Sequence, residues 1–477
     1  MGLLCYFYYP KYEKASSMKK QWAKIARITI PAVIFLYLIM LIPDSHYKIP
    51  NGGGKEPFEW KQDAQWTDLE TQFIADRVKS HDDLKSHIAN DLLCGQLLCD
   101  SISRDSLSPE APIFLDLENI IFELAPMVGA CPDQFNAYES LVSKMRQIVK
   151  MQSRHWDMNS TTARQRVYRL LYGSREALEE ILLQMPGDSI SPLTLGIDET
   201  SATPSTRVLG VTIHSGDILV SRGGAPTSAL IARGNDYPGN FSHIALVYVD
   251  DKTSLASINE AHIERGVVIS SLEEYLRDKK LRVMVLRLRS GLPEIKADPM
   301  LPHKVASLAM KQVQAQHIPY DFEMDFQNHS KEFCSEVASA PYSQFGIHLW
   351  MGKSTISSPG LVSWLAAFGV KNFETQEPSD LEYDPQLQVV AEWRDPETLY
   401  KDHVDNAVID IMLEGADAGD RLDYQWYLLP MARILKVYSV ILNWFGGIGP
   451  VPEGMNATAA LRNQQFSSRH LQQKYYS

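Results

Sequence analysis

The sequence predicts an α+β fold in which a β-rich middle section is flanked by helical regions. Three observations carry this. Between 213 and 288, short β-rich runs recur at 218–220, 244–249, 255–261, 267–269 and 283–288, separated by turn residues. From about Trp66 to Met185, apolar residues recur instead at helical spacing, as in Val167, Leu170 and Leu171 followed by Leu178, Ile181 and Leu182. Beyond Gly369 the chain reads as helical again, and 428–444 is strongly apolar and rich in aromatics. At 477 residues, 45% hydrophobic and 22% charged, the chain can build more than one core.

Taken in order, the N-terminus is an export signal. Up to Arg27 there are six basic residues, Lys11, Lys14, Lys19, Lys20, Lys24 and Arg27, against one acid, Glu13. An uncharged apolar stretch follows at 28–42, containing Pro31 and ending at Pro43 and Asp44. A basic flank before an apolar core holds the N-terminus in the cytoplasm and sends the rest across. No small-x-small cleavage site follows, so an uncleaved anchor is expected, with Lys24 and Arg27 snorkelling to lengthen a short span. The remainder holds 40 basic and 57 acidic residues within a whole-chain net charge of −12, and no basic stripe, which excludes a nucleic-acid partner.

Asn51, Gly52, Gly53, Gly54 and Lys55 read as a flexible linker. The helical texture comes next, then a loop rich in Ser, Thr and Pro over 187–207, the strands, and two helices. This divides the chain into an anchor segment 1–45, a helical domain 46–205, a β-containing domain 206–368 and a helical region 369–477. In the last, Arg433 and Lys436 interrupt the apolar run, and its apolar residues fall roughly on one face. A helix packed on the preceding domain is therefore expected, with an interfacial helix as the intermediate option and a membrane span as the least favoured. Cys94, Cys99 and Cys131 lack zinc-finger spacing, so no metal or other cofactor is expected, and buried thiols or one disulfide are the reading.

Cys334, in Phe333-Cys334-Ser335-Glu336, and His243, in Phe241-Ser242-His243-Ile244, are the candidate chemistry. A thiol with an ordinary pKa of about 8.5 becomes nucleophilic when a helix N-terminus and a nearby imidazole lower it. Ser330 as N-cap would put Cys334 in the first turn of a helix that Pro341 ends. The imidazole needs an orienting acceptor. Glu260 lies on the strand after the turn formed by Asp250, Asp251, Lys252 and Thr253, where a hairpin brings it alongside His243, with His262 and Asn259 as substitutes. A Cys in an apolar helix or a His in a strand is individually more often a core residue. Asp217, in a Gly-Asp turn, reads as structural.

Together, Gly216-Asp217-Ile218-Leu219, Phe241-Ser242-His243-Ile244-Ala245, Asn259-Glu260-Ala261 with Gly266-Val267, Pro319-Tyr320-Asp321-Phe322 and Phe333-Cys334-Ser335-Glu336 resemble the YiiX/YebB-like cysteine hydrolases. The resemblance spans roughly 213–349, in the order His, Glu, Cys. It implies a circularly permuted papain-like, NlpC-type domain with an antiparallel sheet and a nucleophile helix, in a membrane-anchored bacterial member. It also implies Cys334 as nucleophile, His243 as base and Glu260 as the orienting residue, with acyl transfer as the reaction. Tyr320 is a candidate oxyanion donor. The sequons at Asn240 and Asn328 flank the candidate residues, which favours a bacterial exported protein. The expected substrate is an amide or ester acyl bond of a lipid at the membrane, with a peptidoglycan peptide amide as the alternative and an inactive scaffold as the third reading.

Overall fold

The computed structural model describes residues 11–44, 57–58 and 62–476; the expected linker at 51–55 and Cys5 lie outside the described residues. The first helix, α1 (Lys11–Met40), carries the apolar run, and its length from Trp22 to Met40 is apolar enough to cross a membrane, with none of it buried. A helical layer follows: α2 (Gln62–Asp76), α3 (His81–Ile102), α4 (Ile113–Ala130), α5 (Phe135–Gln152) and α6 (Thr161–Gln184). The spacing of apolar residues decides which faces turn inward. In α3, Leu84, Ile88, Leu92, Gly95, Cys99 and Ile102 are buried at intervals of three or four, as one face of a 3.6-residue helix requires. Ser160 caps α6 by accepting the Ala163 N–H at 3.2 Å.

The β section is one seven-stranded antiparallel sheet in the order β1-β11-β8-β4-β5-β6-β7, beside the hairpin of β2 (Ser205–Val208) and β3 (Val211–His214). Its strands are β1 (Leu193–Leu195), β4 (Ile218–Gly223), β5 (His243–Val249), β6 (Ala256–His262), β7 (Gly266–Ser271), β8 (Lys280–Leu288) and β11 (Leu387–Arg394). The five β-rich runs of the sequence are β4 to β8. Between β4 and β5 runs α7 (Pro226–Arg233), and between β7 and β8 runs α8 (Leu272–Arg277). After β8 come α9 (Pro293–Ala297), α10 (Leu301–Ala315), α11 (Glu336–Ser343), β9 (Ser354–Thr355), α12 (Pro359–Phe368), β10 (Glu374–Thr375) and α13 (Asp380–Tyr383). The chain ends with α14 (Pro396–Asp417), α15 (Leu429–Trp444) and α16 (Ala457–Tyr476).

Strand alternation builds two cores. Ile218, Val220, Ile244, Leu246, Met284 and Leu286 meet Val305 and Ala309 of α10 and Val337 and Tyr342 of α11. Leu219, Ala245, Val247, Val283 and Val285 form the other, with Val211, Ile213 and Tyr275. Gly216, at φ +95°, turns the chain into β4 where an added Cβ would come 2.3 Å from Pro302 Cβ. Asp217 beside it is structural: it accepts the His214 N–H at 2.7 Å and pairs with Arg287.

The structure departs from the sequence reading at several points. β11 lies in the region expected to be helical and β1 in the first helical region, so the sheet extends beyond 206–368. Buried charges join these parts. Glu179 of α6 pairs with Arg282 of β8 at 2.7 Å, Arg394 of β11 at 3.1 Å and His403 of α14 at 3.0 Å. Arg175 of α6 pairs with Glu382 at 2.6 Å and Glu392 at 2.8 Å. Cys94, Cys99 and Cys131 are free thiols, with no disulfide among the described residues.

Candidate functional site

Asp250 makes the turn that brings Glu260 to His243. Its Oδ1 accepts the Lys252 and Thr253 N–H groups at 3.1 and 2.8 Å, so β5 returns as β6 with Ala245 opposite Glu260. On an antiparallel pair the diagonal neighbour on the same face is within reach of a long side chain. His243 and Glu260 use that diagonal: Nε2 lies 3.0 Å from Oε2. The other carboxylate oxygen accepts Ser270 Oγ at 2.7 Å, and His262 Nε2 lies 3.3 Å from it. Burial pushes the Glu260 carboxyl up, but the His243 and His262 rings outweigh it and hold the group well below the usual carboxylate range. Both Glu260 and its substitute His262 therefore belong to one cluster. Asn259 alternates to the opposite face of β6.

Cys334 comes to the same strand from the other side of the fold. Its Sγ–H points to the Ser242 carbonyl at 3.9 Å, and the Ile244 N–H points to the sulfur, so the thiol sits against the main chain on either side of His243. Alternation sends the His243 side chain to the face of Ala245 and Val247, whereas Ile244 and Leu246 meet α11. Among the described residues no hydrogen bond joins the sulfur to the imidazole.

The helix does not start at Ser330, whose hydroxyl bonds Asn328 at 2.8 Å. The segment before Cys334 is instead held extended, with Glu332 N–H on Pro319 O and Asp321 N–H on Glu332 O. The helix begins only at Glu336, behind Ser335, and runs through Pro341. Cys334 thus precedes α11 and is 5% exposed. The expected lowering of its pKa is reversed: burial pushes the thiol up to about 12, the Ile244 N–H opposes this and the Glu377 charge adds to it.

Beside Cys334 lies an apolar cavity of about 80 Å³, lined by Leu230, Ile231, Phe322, Ile356, Leu365 and Phe368 among others. Tyr320 lines it too. Burial pushes the Tyr320 hydroxyl well above its ordinary value and the neighbouring Cys334 adds to this, so the group is protonated and able to donate. Sequence reasoning missed three carboxyls nearby. Burial raises Glu332 to about 7, Glu336 to about 9 and Glu377 well above its usual range. Glu336 is the last residue of the noted cysteine motif and Glu332 directly precedes it, though neither was given a role, whereas Glu377 lies 43 residues beyond Cys334 and gave no signal.

Elsewhere, His81, Cys131 and Asp133 bring ligand-type atoms within 4.8 Å of one another, a cluster the sequence spacing hid. Lys85 Nζ sits 2.6 Å from Asp133, supplying a positive charge there already. The Asn240 side chain, from the first sequon, is buried and donates to Glu176 at 2.7 Å.

Residues 212–391 match the family described as permuted papain-like amidase enzyme, YaeF/YiiX, C92 family. A search of curated proteins gave no match. The matched stretch takes in β4 to β8, the His243 and Glu260 pair, Tyr320 and Cys334, and runs into β11. That segment is thus similar to the YiiX-like permuted papain-like amidases, and the match supports a hydrolase of the cysteine type.

Proposed function

We propose that the protein is a thiol-dependent amidase or acyl hydrolase acting on a lipid or lipid-linked acyl bond at a membrane surface. Cys334 attacks the acyl carbonyl. His243, whose Nε2 is engaged by Glu260 and whose ring shares no hydrogen bond with the sulfur at rest, takes the thiol proton at Nδ1 once the ring and the sulfur swing together at the edge of β5, and returns it to the leaving group. Glu260 fixes the ring and stabilises the imidazolium. Main-chain N–H groups at the start of α11 receive the oxyanion, with Tyr320 as a further donor. Because the resting thiol is raised, activation falls to the base during attack rather than to a standing thiolate. α1 anchors the chain with the basic flank in the cytoplasm and the body outside, in a bacterial envelope.

The observation that carries the lipid assignment is the apolar cavity at Cys334, whose lining suits an acyl chain better than a charged wall peptide. The test is a homologous series of acyl amides and esters, assayed with the full chain in vesicles and with Cys334→Ser as control. Each added methylene should raise kcat/KM by up to about fourfold, from about 0.8 kcal/mol per buried CH2, until the cavity is filled. Leu365→Trp should flatten the series. A flat wild-type series, or preference for short peptide amides, would transfer the assignment to peptide amide cleavage. No Cys334-dependent turnover on either would leave a scaffold.

A further inference from the structure

An ordinary surface helix keeps its charges outside. α15 does the reverse. Both of its cations turn inward: Arg433 donates to the Ile39 carbonyl at 3.3 Å and pairs with Asp44 at 3.1 Å, while Lys436 donates to the Pro452 and Glu453 carbonyls at 2.7 and 2.8 Å. Its outward positions carry no charge, with Met431 57%, Ile434 56%, Val437 62%, Tyr438 50% and Trp444 77% exposed. Phe445, just beyond the helix, is 83% exposed. The stripe follows the helical repeat along about 24 Å of helix and has aromatic residues at both ends, starting with Trp426 and Tyr427. A contiguous apolar face of this kind marks a binding surface.

Its occupant follows from what α15 is tied to. Arg433 grips the carbonyl end of α1 at Ile39 and Ile42, and Asp44, just past that end, accepts Thr458 Oγ1 of α16 at 2.8 Å. α1 is the one fully unburied helix, among the described residues, long and apolar enough to cross a bilayer. From Trp22 to Met40 it spans about 28 Å, close to the ~30 Å of a hydrocarbon core. A span ending at Asp44 leaves α15 at the level of the headgroups, where tryptophan and tyrosine are favoured.

We infer that the outward face of α15 lies in the lipid bilayer interface as a second membrane contact beside α1. The same helix is fastened to the candidate site: Asn443 Nδ2 donates to Glu264 O at 3.1 Å, and the Glu453 and Gly454 N–H groups bond Glu264 and Ile263, directly after His262. Met455 and Asn463, which follow α15, line the Cys334 cavity. The bilayer contact therefore holds that cavity close to the lipid, so that an acyl substrate enters from the membrane. This consequence rests on the proposed reaction; the contact does not.

The test uses the full chain reconstituted in phosphatidylcholine vesicles whose acyl chains carry bromine at shallow or deep positions. The emission lost in Trp444→Phe, obtained by difference from wild type, isolates Trp444. It should be blue-shifted and lose most of its intensity to shallow bromines, and less to deep ones. Emission at the water-exposed wavelength without quenching overturns the inference. So does a blue shift insensitive to bromine but dependent on protein concentration, which assigns the face to a second copy of the chain. Neither readout needs turnover, so an inactive Cys334 and an α15 that stays out of the bilayer are separate results.

Discussion

Replacing Glu260 by Gln keeps the shape of the side chain and removes its charge. The carboxylate is buried, sits 3.0 Å from His243 Nε2 and is held ionised by two imidazoles. If His243 takes the Cys334 proton, the resulting imidazolium depends on that charge. A charge-assisted hydrogen bond of this type contributes about 1.5–3 kcal/mol, or roughly a 10- to 150-fold rate effect. The assay is alkylation of Cys334 by iodoacetamide across pH 6–10 on the full chain, with Cys94→Ala removing the exposed thiol among the described residues and Cys5→Ala removing the one outside them. Wild type should react well below the value of about 12 towards which burial pushes the lone thiol. Glu260→Gln should be slower by the stated factor near neutrality and approach wild type only at high pH. Adding Glu260→Gln to His243→Ala should cost nothing further, since the two act as a unit. Equal rates and identical profiles for wild type and Glu260→Gln would refute the assignment of base and orienting residue.

Two further outcomes concern stability. Glu332 and Glu336, raised to about 7 and 9, stay protonated in the fold where the unfolded chain has released its protons, so each costs up to about 1.4 kcal/mol per pH unit from roughly 4.3 up to its raised value, where the cost levels off. His403, raised to about 9, contributes stability that is present below about 6.5 and lost as pH rises through 9. All three make the protein less stable at pH 9 than at pH 5.5, which thermal unfolding at the two values checks; an equal or higher Tm at pH 9 contradicts it. Arg282→Met takes from buried Glu179 its shortest ion pair and from Asp402 one of its two arginines, and should cost about 3 kcal/mol in urea denaturation, with part regained in the double variant with Glu179→Gln. A loss under 1 kcal/mol would mean the remaining cations neutralise both acids.

How far the sequence could be read depended on how local each signal was. β4 to β8 stood out because alternating residues meet two different cores, and the Asp250 turn made the His243 and Glu260 neighbours foreseeable. β11 was missed because a bulge between Val389 and Ala391 breaks the two-residue period on which strand recognition rests. The start of α11 was misplaced because the bond between Asp321 and Glu332 that delays it joins distant residues. The raised thiol was likewise invisible. Much of its apolar cover comes from α7, α12 and Met455 near the C-terminus, none of them adjacent to Cys334 in sequence.

The charges that Glu179 gathers from β8, β11 and α14 bear on what can be separated from what. A fragment starting at residue 206 would keep Arg282 and Arg394 but lose Glu179, leaving Asp402 and Glu392 as their remaining acids and one face of the sheet open to water. The segment that matches the family, 212–391, keeps Arg282 and loses Glu179, so it is expected to need the helical layer in order to fold in this chain. The helical layer before it serves as the missing half of its coat, and trimming to the family boundaries is a route to insoluble protein rather than to a minimal enzyme.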